Sequence, residues 1–287
     1  MRKIKEFIIE KLIFLCGIAS IFFVILIFLF LLKEGLSVFK TISPAAFLGG
    51  KNWYPISEPA QLGILPLILG SLVVTVVAMV ISILIGVPCA IYIAEIAPLK
   101  IKEILKAGVE LLAAIPSVVL GFIGMVTLVP WVKSTFNLPT GLCALSGSIM
   151  LAFMAMPTIV SIAEDALYSV PKTYKDGAFA LGATHWQTIV RVILPASSSG
   201  ILAAVMLGIG RVIGETMAVM MITGNSAVIP QSILVPVRTL TATIAAEMGE
   251  AVVGSEHYFA LFAIGIVLFV ISFVINVGAD MFLHKNQ

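Results

Sequence analysis

The chain has 287 residues, 60% of them hydrophobic and 11% charged, with a formal net charge of +2 and a mean hydropathy of +1.16. Soluble globular domains carry charge on about a quarter of their residues, so this composition excludes a water-soluble fold. It points to an all-α protein that crosses a membrane several times.

Apolar runs of about twenty residues match the length needed to cross a hydrocarbon core of roughly 30 Å. In chain order they cover residues 12–32, 62–94, 104–129, 142–162, 194–222 and 259–283. The expectation is one transmembrane domain over 1–287 with about six transmembrane helices. Lys33-Glu34-Gly35 follows the first run in place of a small-x-small cleavage site, so it reads as a retained helix. The second run is longer than one untilted span requires, and its first turns are expected in the interface or a polar loop. Pro66, Pro88, Pro116 and Pro157 each allow a kink or a break. The polar stretches 33–61, 164–191 and 223–258 are too short to bury a core alone, and 33–61 is expected to pack on the outer helix ends.

Basic residues set the orientation. Arg2, Lys3, Lys5, Lys11, Lys100, Lys102, Lys106, Lys172, Lys175, Arg191 and Lys285 fall on one side. Lys33, Lys40, Lys51, Lys133 and Arg238 fall on the other. The richer side is cytoplasmic, which places both termini and the 164–193 loop in the cytoplasm, with lipid around the spans. The basic residues follow this topology and form no separate patch, so nucleic acid is not an expected partner. Cys16, Cys89 and Cys143 lack the spacing of a metal site or a disulfide framework and read as buried thiols. Glu95, Glu110, Glu164 and Asp165 lie near the inner ends of spans, where they serve either the headgroup region or a partner.

Two polar features interrupt this pattern. In the inner loop, Tyr174, Ala178, Leu181 and Ala183 recur at nearly helical spacing, with Asp176 and Lys172 four apart. Pro171 suits a first turn, and Gly182 predicts two short helices joined by a bend. Such an element is either an amphipathic linker on the inner leaflet or a docking surface for a soluble protein. In the fifth run, Arg211 and Glu215 are four apart, which places them on one helical face where they can pair. That pair is either a structural ion pair or a charge held for an anion, since a guanidinium meets phosphate oxygens bidentately. Thr216, and the hydroxyls Ser117 and Thr158 beside Pro116 and Pro157, are candidates for lining the same path; ordinary packing kinks are the alternative.

The inner segment Asp176-Gly177-Ala178, then Gly182, then Val192-Ile193-Leu194-Pro195, resembles the signature loop of ATP-binding-cassette importer permeases. Asp176, Gly177 and Val192 stand where that pattern usually has Glu, Ala and Ile. Ala113-Ala114-Ile115-Pro116-Ser117, Met156-Pro157-Thr158 and Gly210-Arg211-Val212-Ile213-Gly214-Glu215-Thr216 narrow the likeness to the phosphate-specific permeases of that family, over nearly the whole chain. The resemblance implies a type I importer fold. Asp176, Gly177, Ala178 and Gly182 would form a coupling helix on a cytoplasmic ATPase, and Leu194-Pro195 would anchor its return to the membrane.

It further implies a second, related permease, two copies of the ATPase and an extracytoplasmic phosphate-binding protein. No Gly-x-x-x-x-Gly-Lys-Ser/Thr loop is present, so no cofactor is expected in this chain; ATP and Mg belong to the ATPase. His185, His257 and His284 are scattered and make no metal array. The competing readings are a permease for sulfate or molybdate, and an ion-coupled secondary carrier using Glu215.

Overall fold

The computed structural model describes residues 2–285. The side chains of Arg2, Lys3, Lys5, His284 and Lys285 lie outside the described residues. α1 (Arg2–Gly35) is a single long helix that packs along the last helix of the chain. A tight turn, α2 (Pro44–Gly49) and an antiparallel pair, β1 (Trp53–Tyr54) with β2 (Gln61–Leu62), make a small outer cap. The Ser43 hydroxyl accepts the Ala46 amide at the start of α2. Val38, Phe47, Trp53 and Leu62 are buried, so the 33–61 stretch packs on the helix ends.

α3 (Leu65–Ile91) runs on through a π-helical turn, Tyr92–Ile96, as one 32-residue span. The first turns of the second apolar run are therefore helix, and only residues 62–64 precede it. The third run differs from its expected bounds. α4 (Leu99–Ala114) is amphipathic and buries no residue, and the chain breaks at Ile115-Pro116. α5 (Ser117–Val126) and α6 (Leu128–Thr135) then form the apolar span Ser117–Thr135. Pro116 thus terminates a helix. By contrast, α7 (Ala144–Tyr168) continues through Pro157.

On the inner side come α8 (Lys172–Ala180), α9 (His185–Thr188), a π-helical turn and α10 (Leu194–Ala196). α11 (Ser198–Gly214) is bent 68° from the segment before it. The fifth span starts at Ser198, and Leu194-Pro195 belong to the inner arm. α12 (Met217–Ile222), α13 (Leu240–Glu247) and α14 (Glu256–Lys285) complete the chain. Five described helices are long and apolar enough to cross a membrane, or six if the bent pair counts as one span.

Three buried clusters stack through the bundle. The outer one joins Phe47, Trp53, Leu67, Leu240 and Leu261. The central one joins Val74, Leu120, Leu151, Val212 and Ile222. The inner one joins Ile93, Val160, Leu167, Ile189 and Ala204. Of the cysteines, Cys143 is buried and Cys89 half-buried, while Cys16 is exposed on α1 and not the buried thiol expected.

Ion pairs close the inner end. Lys102 and Lys106 on α4 each place Nζ 2.9 Å from a different oxygen of Glu164, which is buried near the end of α7. Lys175 on α8 sits 2.6 Å from Glu95. The hydrogen bond to Glu164 holds the Lys106 ammonium above the usual lysine range.

α5 and α12 lie in close contact at Gly121, where an added Cβ would come 2.9 Å from Ala218 Cα and 3.1 Å from Met221 Sδ. At Gly210 nothing lies within 4 Å. Gly121→Val should therefore cost about 1–3 kcal/mol by overpacking. Gly210→Ala in the isolated chain should be neutral or stabilise by up to about 1 kcal/mol. Unfolding of the detergent-solubilised chain measures both; equal effects at the two sites would contradict the α5–α12 contact.

Candidate functional site

Arg211 and Glu215 do not share a helical face. α11 ends at Gly214, and Glu215 is extended, with φ −69° and ψ 134°. The carboxylate turns forward to α12, where Glu215 Oε1 accepts the Ala218 amide at 3.2 Å. No ion pair joins Glu215 to Arg211 among the described residues. The expected pair is replaced by a helix break, because glycine at 208, 210 and 214 weakens the last turns and a capping carboxylate satisfies the amides that the break frees. Arg211 occupies the last turn of α11, where a cation suits the helix C-terminal carbonyls. Its side chain is exposed on the same open side as Gly210 and Gly214. Thr216 Oγ1 donates to the Gly214 carbonyl at 3.2 Å and so stabilises the break from within.

Ser117 opens α5, directly after the break at Pro116. Gly121 meets Ala218, and Gly124 meets Ile222, so α5 and α12 run parallel. That register sets Ser117 about one helical turn before the level of Met217, so the breaks in the third and fifth spans are offset by about a turn along the α5–α12 contact. Thr158 is half-buried on α7, next to Ile159, which fills the space over Gly208. No hydrogen bond links it to the break at Glu215 among the described residues.

The break is also reached from outside, by a segment the sequence did not single out. Residues 223–247 fold back into the bundle, burying Leu240, Thr241, Ala242 and Thr243. Thr241 Oγ1 donates to the Glu215 carbonyl at 2.9 Å, and Ser71 Oγ of α3 accepts the Leu240 amide at 2.9 Å. At the other end of α13, Glu247 is the acceptor for three donors. Trp53 Nε1 lies 3.0 Å from Oε2, His257 Nε2 lies 2.8 Å from Oε2, and the Arg238 guanidinium bonds Oε1. These groups line an open outer cleft of about 830 Å³. Trp53 and Glu247 are 194 positions apart, so no spacing rule finds them.

In the inner loop, Gly182 adopts φ +81°, a conformation side chains rarely take, and separates α8 from α9 as its spacing predicted. A capping box starts α9: Thr184 Oγ1 accepts the Gln187 amide, and Gln187 Oε1 accepts the Thr184 amide. Tyr174, Phe179, Leu181 and Trp186 are exposed, Leu181 at 91%. Ala178 and Ala183 are half-buried, while Asp176 and Gly177 are exposed. His185 is exposed and its ring stacks on Phe179.

The chain is 41% identical over 261 residues to the probable ABC transporter permease protein YqgH of Bacillus subtilis, covering 90% of this chain and 84% of that one. It is 35% identical over 249 residues to the phosphate transport system permease protein PstC of Mesorhizobium japonicum, covering 80% and 75%. The PstC of Haemophilus influenzae is 33% identical over 261 residues, covering 84% and 82%. Among solved structures, a bacterial ABC transporter that imports alginate aligns with a TM-score of 0.66 at 16% identity, over 99% of both chains. An inward-facing MetNI methionine ABC transporter aligns at 0.63 and 20% identity, over 81% of this chain and all of that one. The fold is thus that of an importer permease. Residues 86–285 match the family model for the inner membrane component of binding-protein-dependent transport systems, and the chain belongs to that family.

Proposed function

We propose that this chain is one of two related permeases in an ATP-driven phosphate importer. The observation that carries the reading is Arg211: a cation within a spanning run, exposed, and without an ion-pair partner among the described residues. A charge at that depth is expensive in lipid, by about 2.5 kcal/mol or more, and is favourable only beside water, a partner or an anion. The relatives named for phosphate transport support phosphate as that anion. Ser117 and Thr216 flank the two breaks and would line the path with Arg211. Thr158 would contribute further towards the cytoplasm, and Glu215 would shape the break. Sulfate and molybdate are the alternative cargo, since a guanidinium serves any tetrahedral oxyanion.

Residues 164–193 are proposed as the coupling loop. The exposed Tyr174, Leu181 and Trp186 give it an apolar patch suited to a protein groove. Asp176, Gly177 and Ala178 would lie at that contact, Gly182 would set the bend, and Leu194-Pro195 would pass motion towards α11. Two cytoplasmic ATPase copies would close on ATP and open the path outward. An extracytoplasmic phosphate-binding protein would deliver the anion, and hydrolysis would restore the inward state. The chain supplies path and lever.

Ala178→Arg inserts bulk and charge at the dock, and Gly182→Pro forbids the bend. Both should leave the chain in the membrane while ATPase copurification and phosphate-stimulated hydrolysis fall. Unchanged hydrolysis in both variants would instead favour a linker lying on the inner leaflet.

Arg211→Gln should lower phosphate uptake by about tenfold to a hundredfold, the range set by losing a charge-assisted hydrogen bond of about 1.5–3 kcal/mol. Arg211→Lys should retain part of the activity. Glu215→Gln should be milder, because an amide oxygen still accepts the Ala218 N–H. The double Arg211→Gln, Glu215→Gln variant should match the single Arg211 variant. Labelled-phosphate uptake into vesicles, normalised to assembled complex and repeated with excess sulfate and molybdate, measures this. Normal uptake by Arg211→Gln would remove Arg211 from the path, and uptake abolished by collapsing ion gradients with ATP retained would favour a secondary carrier.

A further inference from the structure

The proposed path leaves the outer cluster around Glu247 unassigned. Glu247 is a carboxylate with three donors drawn from three places in the chain: Trp53 on β1, Arg238 before α13 and His257 on α14. It closes the C-terminal end of α13, whose eight residues span about 12 Å at 1.5 Å per residue. At the other end a directed relay of hydroxyls begins. Thr241 Oγ1 spends its single proton on the Glu215 carbonyl. Thr239 Oγ1, 3.2 Å away, must then donate to Thr241 while accepting the Ala242 amide. One short helix is thus tied to the outer cleft at Glu247 and to the transmembrane break at Glu215.

We propose that Glu247 and Thr241 are positioning residues: the ion-pair hub at Glu247 seats α13, and α13 sets the geometry of the break beside Arg211 through the Thr241 hydroxyl. The inference rests on the reading that this break borders the path. It gives the outer cleft a role as the place where an event on the outer face is felt at mid-bundle. Glu247 and Thr241 touch no substrate in this scheme. They act through Glu215, whose carbonyl is held from outside while its carboxylate caps α12 from within the same turn.

A purely local staple predicts something different. If the hub only fixed the outer cap, its loss would loosen residues near 53, 238 and 257 and leave the break unaltered. The test is amide exchange by mass spectrometry on the full chain, assembled with its partner subunits in lipid nanodiscs. Thr241→Val and Glu247→Gln should each raise exchange across 215–220 by about threefold to tenfold, the population change brought by one ordinary hydrogen bond. Amides at 150–160 of α7 should not change. Thr241→Ser should restore the wild-type rate, because it keeps the donor. The double variant should show no more than the larger single effect, since the two contacts act in series.

Unchanged exchange at 215–220 in Glu247→Gln would overturn the link. So would additive effects in the double variant, or a rise across α7, which marks general loosening. Uptake gives a separate arm: the maximal rate should fall in both variants while the half-saturating concentration of binding protein stays fixed. If the wild-type complex moves no phosphate, the cargo assignment fails, and the exchange result still decides the positioning role.

Discussion

Hydrocarbon offers no hydrogen bonds, so every interruption of a spanning helix must be satisfied by protein. That constraint organises this chain. At the fifth span the Glu215 amide bonds the Val212 carbonyl, the Glu215 carbonyl takes the Thr241 hydroxyl, and the Ala218 amide takes the Glu215 carboxylate. Met220 N–H closes on the Thr216 carbonyl. The bend at Ser197 is handled similarly, with Ser197 Oγ donating to the Ile193 carbonyl at 2.8 Å. At Pro116 the imino acid removes one donor, and the Val119 and Leu120 amides share the Pro116 carbonyl. Each break is therefore a built feature, and the polar side chains around it follow from the need to satisfy it.

The same accounting explains what the sequence could and could not reveal. Number, order and orientation of the spans were legible because apolar length and basic flanks act locally and add up. The bend at Gly182 was legible because one residue type tolerates its φ. The run 194–222 misled because its mean composition stays apolar across a 68° bend and a helix break, although Ser197-Ser198-Ser199 sit at the first and Gly214-Glu215-Thr216 at the second. A four-residue spacing joins Arg211 and Glu215 only if the helix continues between them, and here it stops at Gly214. Within the polar stretch 223–258, Thr239, Thr241 and Thr243 are buried. Thr241's partner, the Glu215 carbonyl, lies on another element. The Glu247 hub was out of reach for the same reason: its donors come from positions 53, 238 and 257.

Charges concentrate at the two ends of the bundle and perform similar work there. On the inner side, Glu164 takes two lysines from α4 and Glu95 takes one from α8. On the outer side, Glu247 takes Arg238, His257 and Trp53. In each case a carboxylate largely shielded from solvent gathers donors from separate elements of the chain. Removing one partner from such a group strands a charge, which costs more than the pair contributes. These hubs therefore specify where loops sit, while the three apolar clusters supply the bulk of the cohesion.

Arg211 breaks this rule, and the exception is informative. The carboxylates Glu95, Glu164 and Glu247 and the cations around them find their partners within the chain. Arg211 has no such partner among the described residues, although Glu215 stands only four positions away and was free to serve had the helix continued. The chain instead commits Glu215 to capping α12 and leaves the guanidinium on a face lined by Gly210 and Gly214, with no side chain to cover it. A single chain in lipid would not be stable with that face outward. In the proposed importer the counterpart comes from outside the chain: a second permease facing this side, with a water-filled seam between the two, would keep lipid away from Arg211 and leave its donors open to a passing anion.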